Sequence, residues 1–136
     1  MSIIKFNDSM AVNIRAIDDQ HKQLINMINE LASAMKSGSG KDVLNDMLVD
    51  LAAYADYHFK TEEELFKQYN YPNTDKHVEE HKSFRDHVEK FNDRYQQKKN
   101  LGITVEILNF LTDWLSNHIK KTDKEYSKFF NNLGIY

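Results

Sequence analysis

The chain has 136 residues with one proline, four glycines, no cysteine and a formal net charge of −3, its lysines and glutamates interspersed. That length fits one domain able to bury a core without covalent staples, and the missing cysteines exclude disulfides, thiolate ligands, iron–sulfur clusters and cysteine nucleophiles. So little turn punctuation excludes a many-stranded β fold and leaves an all-α class, and without a basic stripe nucleic acid is not an expected partner.

Residues 1–6 carry neither a basic region followed by a sustained apolar stretch nor a small-residue cleavage site. No apolar run approaches the roughly 20 residues of a membrane span, so a soluble, cytoplasmic protein without a membrane partner is expected. Ile4, Phe6, Met10, Val12, Ile14 and Ile17 predict an arm over residues 1–17, Ile3 included, that lies extended across helices. A first helix over roughly 18–36 has the stripe His21, Leu24, Ile25, Ile28, Leu31 and Met35, with Asp18 or Asp19 near its start as a cap. A second, roughly 41–69, aligns Leu44, Leu48, Leu51, Ala55, His58, Glu62, Leu65 and Phe66. After Pro72 a third begins near Thr74 with His77, His81, Phe84, Val88, Phe91 and Tyr95 on one face. The fourth, roughly 105–121, carries Leu108, Leu111, Trp114, Leu115 and His118. Beyond Asp123, Tyr126, Phe129, Phe130 and Leu133 recur at helical spacing before Gly134, which predicts a docked C-terminal segment over residues 124–136.

The polar breaks at residues 37–40, 70–73 and 100–102 are short, and short connections make sequential helices antiparallel. The expected architecture is a single domain over residues 1–136: an up-down-up-down four-helix bundle over 18–123, flanked by the arm and the docked segment. In that topology the early first, late second, early third and late fourth helix positions share one end. His21, His58, Glu62, His77, His81, His118 and Asp123 therefore converge on one level.

Taken singly, the pair His58 and Glu62, or His77 and His81, reads as an exposed helix pair contributing about 0.2–0.5 kcal/mol. A lone His21 or His118 on an apolar stripe reads as a core histidine bonded to a backbone carbonyl. Together they need partners, because buried imidazoles and carboxylates without them are costly, and the convergence makes all seven candidate metal ligands. If Glu62 and Asp123 bridge two ions with both oxygens, the five imidazoles and four oxygens supply nine donors. One oxo or hydroxo bridge, counted once per ion, brings eleven against the twelve of two octahedral ions. The single open position, facing an apolar interior, suits a small neutral ligand. Iron is the fitting redox ion for imidazole and carboxylate donors, and O₂ the natural ligand.

The motifs Ile17-Asp18-Asp19-Gln20-His21, His58-Phe59-Lys60-Thr61-Glu62-Glu63, His77-Val78-Glu79-Glu80-His81 and His118-Ile119-Lys120-Lys121-Thr122-Asp123 resemble the hemerythrin family, in particular its single-domain bacterial members. The resemblance runs almost end to end. It implies a non-haem di-iron centre with an oxo or hydroxo bridge. His77, His81 and His118 would bind one iron, His21 and His58 the other, with Glu62 and Asp123 bridging. It further implies reversible O₂ binding for carriage, storage or delivery, the gas held as hydroperoxide on the two-histidine iron, with no protein nucleophile or general base and hence no enzymatic role. Nitric oxide and small anions such as azide are further expected ligands. The chain departs from the family's usual pattern at Phe6, where a tryptophan is common, and at Val12-Asn13-Ile14, which lacks the usual glycine.

Phe59, Trp114, Leu115 and Ile119 are candidates for the wall of the O₂ pocket, Leu115 and Ile119 first, where they would exclude water. His87 lies about 120° round the helix from His81 and reads as a surface residue. Glu63, Glu64, Glu79 and Glu80 read as solvated charge, not as bridges. His118 and Asp123 sit about 140° apart on an ideal α-helix, which predicts a π-type bulge or a loosened turn between them. Competing readings are a slow di-iron oxidase or peroxidase, consumption or sensing of nitric oxide, sensing of O₂ or redox state, and a structural zinc site. Oxygen-activating bundles commonly use four carboxylates and two histidines, a different balance from this one. Bundles of this type stand alone or assemble, so the oligomeric state is left open.

Overall fold

Four antiparallel helices form the body of the computed structural model, which describes residues 4–99 and 101–136; Met1 to Ile3 of the arm and Asn100 of the third break lie outside it. They are α1 (Arg15–Lys36), α2 (Gly40–Tyr69), α3 (Thr74–Gln96) and α4 (Ile103–Trp114), and no strand occurs among the described residues. A π-helical stretch, Leu115–Thr122, continues α4 and leads without a break into α5 (Asp123–Asn132). Helix α1 packs on α2 and α4, and α3 packs on the same two, as up-down-up-down connection requires.

The breaks follow from local chemistry. Helix α2 ends at Asn70, held in the left-handed region at φ +53°, with its N–H on the Phe66 carbonyl. Asparagine visits that region more readily than most residues, and Pro72 cannot continue a helix. Gly102, at φ +71°, opens α4, where a side chain would be strained.

Helix α1 begins three residues earlier than the apolar stripe indicates, so Ile17 belongs to the helix and the arm ends at Ile14. Tertiary packing is the reason: Ile17 is fully buried. Asp18 does not cap α1; its Oδ1 accepts the Val12 N–H at 2.8 Å and ties the arm to the first turn. Further out, Asn29 clamps Ile4, accepting its N–H at 2.9 Å and donating to its carbonyl at 2.8 Å.

Two separate apolar clusters result. The larger fills the bundle with Leu24, Ile28, Leu51, Phe84, Leu111 and their neighbours. The smaller is built by the arm and the C-terminal segment: Val12, Ile14, Ile17, Phe66, Tyr71, Tyr126 and Phe130. Burying hydrocarbon at about 25 cal/mol per Å² favours both. Between them lies a layer of buried polar groups.

Candidate metal centre

Each ring or carboxylate reaches that layer because of its place on a helix. His21 projects from the second turn of α1, His58 and Glu62 one turn apart from α2, and His77 and His81 one turn apart from α3. His118 and Asp123 are five residues apart across the π-helical stretch, whose i→i+5 bonding brings them onto one face. Ideal α geometry would have turned one of them away, and the break in regular helix anticipated from their spacing is present. All seven residues are buried, none more than 1% exposed.

Asp123 faces both halves of the cluster. Its Oδ1 lies 2.8 Å from His77 Nε2 and 2.9 Å from His118 Nε2, and its Oδ2 lies 3.0 Å from His21 Nε2. Glu62 Oε1 lies 3.1 Å from both His58 Nε2 and His81 Nε2. Its Oε2 accepts the Tyr126 hydroxyl at 2.5 Å and stands 3.7 Å from His77 Nε2. The donor atoms fall into two groups that share Glu62, one with His77, His81 and His118, the other with His21, His58 and Asp123, the atoms of each group within 4.8 Å of one another.

These short distances are not ordinary hydrogen bonds. The Nε2 atoms of His21, His77, His81 and His118, Oε1 of Glu62 and both oxygens of Asp123 are buried without a hydrogen-bond partner. An isolated unsatisfied polar atom costs about 1–3 kcal/mol, so seven in one layer would be untenable unless something else satisfied them. Lone pairs that converge on common points instead of on one another's protons fit bound cations. Five nitrogens and two carboxylates match the donor preference of a divalent first-row metal pair such as iron.

The electrostatics agree. Burial disfavours charge on Glu62 and Asp123, and at Glu62 the charge of Asp123 adds to it, yet the surrounding imidazoles hold both carboxyls well below the usual range. Burial also opposes charge on His118, but the charge and close approach of Asp123 and the contact of Nδ1 with Glu80 outweigh it and carry its pKa up to about 10. His21 and His81 are raised against burial by Asp123 and by Glu62 with Glu63, respectively, whereas burial prevails at His58 and lowers it. Protons stand in for cations here.

The outer nitrogens expose residues that helical spacing did not single out. Glu63 Oε2 lies 2.8 Å from His81 Nδ1 and Glu80 Oε1 lies 3.2 Å from His118 Nδ1. Neither is the merely solvated charge expected, because a glutamate one position off the inward stripe still reaches the back of a neighbouring imidazole. Gln20 Oε1 lies 2.6 Å from His58 Nδ1. The signal available was adjacency: each sits next to a ligand candidate or one turn from it. Glu64 and Glu79 are exposed as expected, and so is His87, bonded to the Ser83 carbonyl and stacked on Phe110.

Phe59 lies flat on His81, ring centroids 3.9 Å apart, and Trp114 lies flat on His118 at 3.9 Å. Both belong to the three-histidine side. Leu115 and Ile119 are buried in the large apolar cluster, beside which Tyr54 stacks on His58 at 5.2 Å.

The family model described as the hemerythrin HHE cation binding domain matches residues 12–130. The chain is 32% identical over 127 residues to bacteriohemerythrin from Clostridium acetobutylicum, covering 89% of this chain and 96% of that protein. It is 30% identical to bacteriohemerythrin from Stenotrophomonas maltophilia, covering 93% and 81%, and 33% identical to a hemerythrin-like protein from Naegleria gruberi, covering 92% of each. The crystal structure of wild-type hemerythrin superposes with a TM-score of 0.79 at 27% identity, covering 93% of this chain and 97% of that one.

Proposed function

Because the chain belongs to the hemerythrin family, we propose that it binds O₂ reversibly at a non-haem iron pair held in the buried layer, as a carrier, store or delivery protein. His77, His81 and His118 would hold one ion and His21 and His58 the other, with the carboxylates of Glu62 and Asp123 within reach of both groups. When bound, the iron pair supplies the electrons and the Lewis acidity that take up the gas. The observation that carries this reading is the set of buried, unpartnered Nε2 and carboxylate atoms drawn from α1, α2, α3, the π-helical stretch and the start of α5.

The protein's own groups then divide the work. Imidazole nitrogens and two shared carboxylates neutralise the ions, and Tyr126 donates to Glu62 Oε2 and fixes that carboxylate's orientation. Leu115 and Ile119, buried as part of the large apolar cluster, keep water away, which slows loss of the bound gas and oxidation of the metal. No side chain is placed as a nucleophile, and two carboxylates are fewer than oxygen-activating bundles use, so binding without turnover is the reading adopted. Azide and nitric oxide are expected to compete for the same position.

An oxygen electrode tests this. The anaerobically reduced, iron-loaded protein should take up one O₂ per two irons and return it under argon. Continuous O₂ consumption in the presence of reductant would instead identify an oxidase.

A further inference from the structure

Gln20 is buried, and its amide is oriented by a chain of hydrogen bonds that runs out to the edge of α2. Thr61 Oγ1 donates its one proton to the Tyr57 carbonyl at 3.0 Å, so that oxygen can only accept. The Gln20 Nε2 stands 3.1 Å from it and must be the donor, which leaves Gln20 Oε1 to face His58 Nδ1 at 2.6 Å. An oxygen there requires the proton on Nδ1 and leaves the Nε2 lone pair free. The opposite amide orientation would put an N–H against Nδ1 and favour the proton on Nε2, the nitrogen needed for the metal.

The backing differs between the halves. His81 and His118 have carboxylates behind them, Glu63 at 2.8 Å and Glu80 at 3.2 Å, and Thr122 Oγ1 donates to Glu80 at 3.0 Å. His58 has a neutral amide; one ring in each half, His21 and His77, has an Nδ1 with no partner, so the contrast lies between two carboxylates on one side and one amide on the other. A carboxylate behind an imidazole raises its strength as a ligand and favours the more highly charged state of the ion it holds; an amide fixes the ring while adding much less.

We propose that Thr61 and Gln20 are positioning residues for His58 that hold its metal-binding tautomer, and that the neutral amide makes the two-histidine half the less electron-rich of the two. This rests on the iron-pair reading above and adds to it a division of labour: both ions give and take back one electron as gas binds and leaves, the carboxylate-backed half holding its iron the more firmly and the amide-backed half leaving its iron the easier of the two to reduce.

The test uses full-length protein, ferrous iron and no O₂. Thr61→Val, which alters no charge, frees the amide to turn and should weaken uptake of the second ferrous ion about 10-fold or more, while Thr61→Ser should behave as the parent protein. Gln20→Glu should lower the midpoint potential of the iron-loaded protein, and Glu63→Gln should raise it. A Thr61→Val variant that binds both ions as tightly as the parent, or a Gln20→Glu variant with unchanged potential, overturns the proposal and leaves the carrier reading standing. A parent protein that binds no second iron overturns both.

Discussion

Asp123 is the residue on which the account depends most, since one oxygen serves His77 and His118 and the other serves His21. Asp123→Asn keeps the shape and removes the charge, so iron content by elemental analysis should fall from two per chain to one or fewer while far-UV circular dichroism stays unchanged; two retained irons would contradict the bridging role. Leu115 tests the wall. It is 3% exposed, and Leu115→Ala should cost about 2–5 kcal/mol in denaturant unfolding and speed autoxidation of the oxygenated form by letting water in. At this scale the ligand candidates were legible because residues four apart share a helix face. Glu63, Glu80 and Gln20 were not. Periodicity reports where a Cβ points, whereas a glutamate or glutamine has enough length to turn back onto a neighbouring ring.

The element that makes the centre possible is the π-helical stretch Leu115–Thr122. Its presence followed from one number, the five-residue separation of His118 and Asp123, because no regular α-helix puts such a pair on one face. Deleting the exposed Ser116 should restore regular α geometry, and because His118 and Asp123 stay five residues apart, the ring and the carboxylate would then sit about 140° round the helix from each other. The expected result is helicity near that of the parent with iron binding lost; a deletion variant that still loads two irons would show that the register does not matter. The helices themselves were readable from their stripes, with the starts of α1, α2 and α4 one to three residues early and the end of the fourth passing from α to π geometry at Leu115. Helix α1 gains three residues because Ile17 is drawn into the cluster with Phe66 and Tyr126, a long-range contact that local pattern does not encode.

For the whole molecule, the buried layer separates two apolar clusters and couples metal to stability. Without metal, Glu62 and Asp123 stabilise the fold above the ordinary carboxylate range, and that contribution is lost as the pH falls through their depressed values. His118 has the opposite sign: its contribution is fully present below about pH 6.5 and lost as the pH rises through about 10. Metal-free protein should therefore be most stable near about pH 5–6.5 and weaken towards alkaline pH, as thermal unfolding across a pH series would record. Ferrous loading requires those imidazole protons to leave, so apparent affinity should rise with pH and each uptake should release protons. At free metal about 1,000 times the dissociation constant, loading adds about 4 kcal/mol, visible as a higher Tm that a chelator reverses.

The most direct test of an iron pair that binds O₂ reversibly is the visible spectrum through repeated cycles: anaerobic reduction, admission of air, removal of the gas under argon. A charge-transfer band should appear with air and vanish under argon, cycle after cycle, at a stoichiometry of two irons per chain. Protein that stays colourless throughout, or that colours once and does not return, would contradict it.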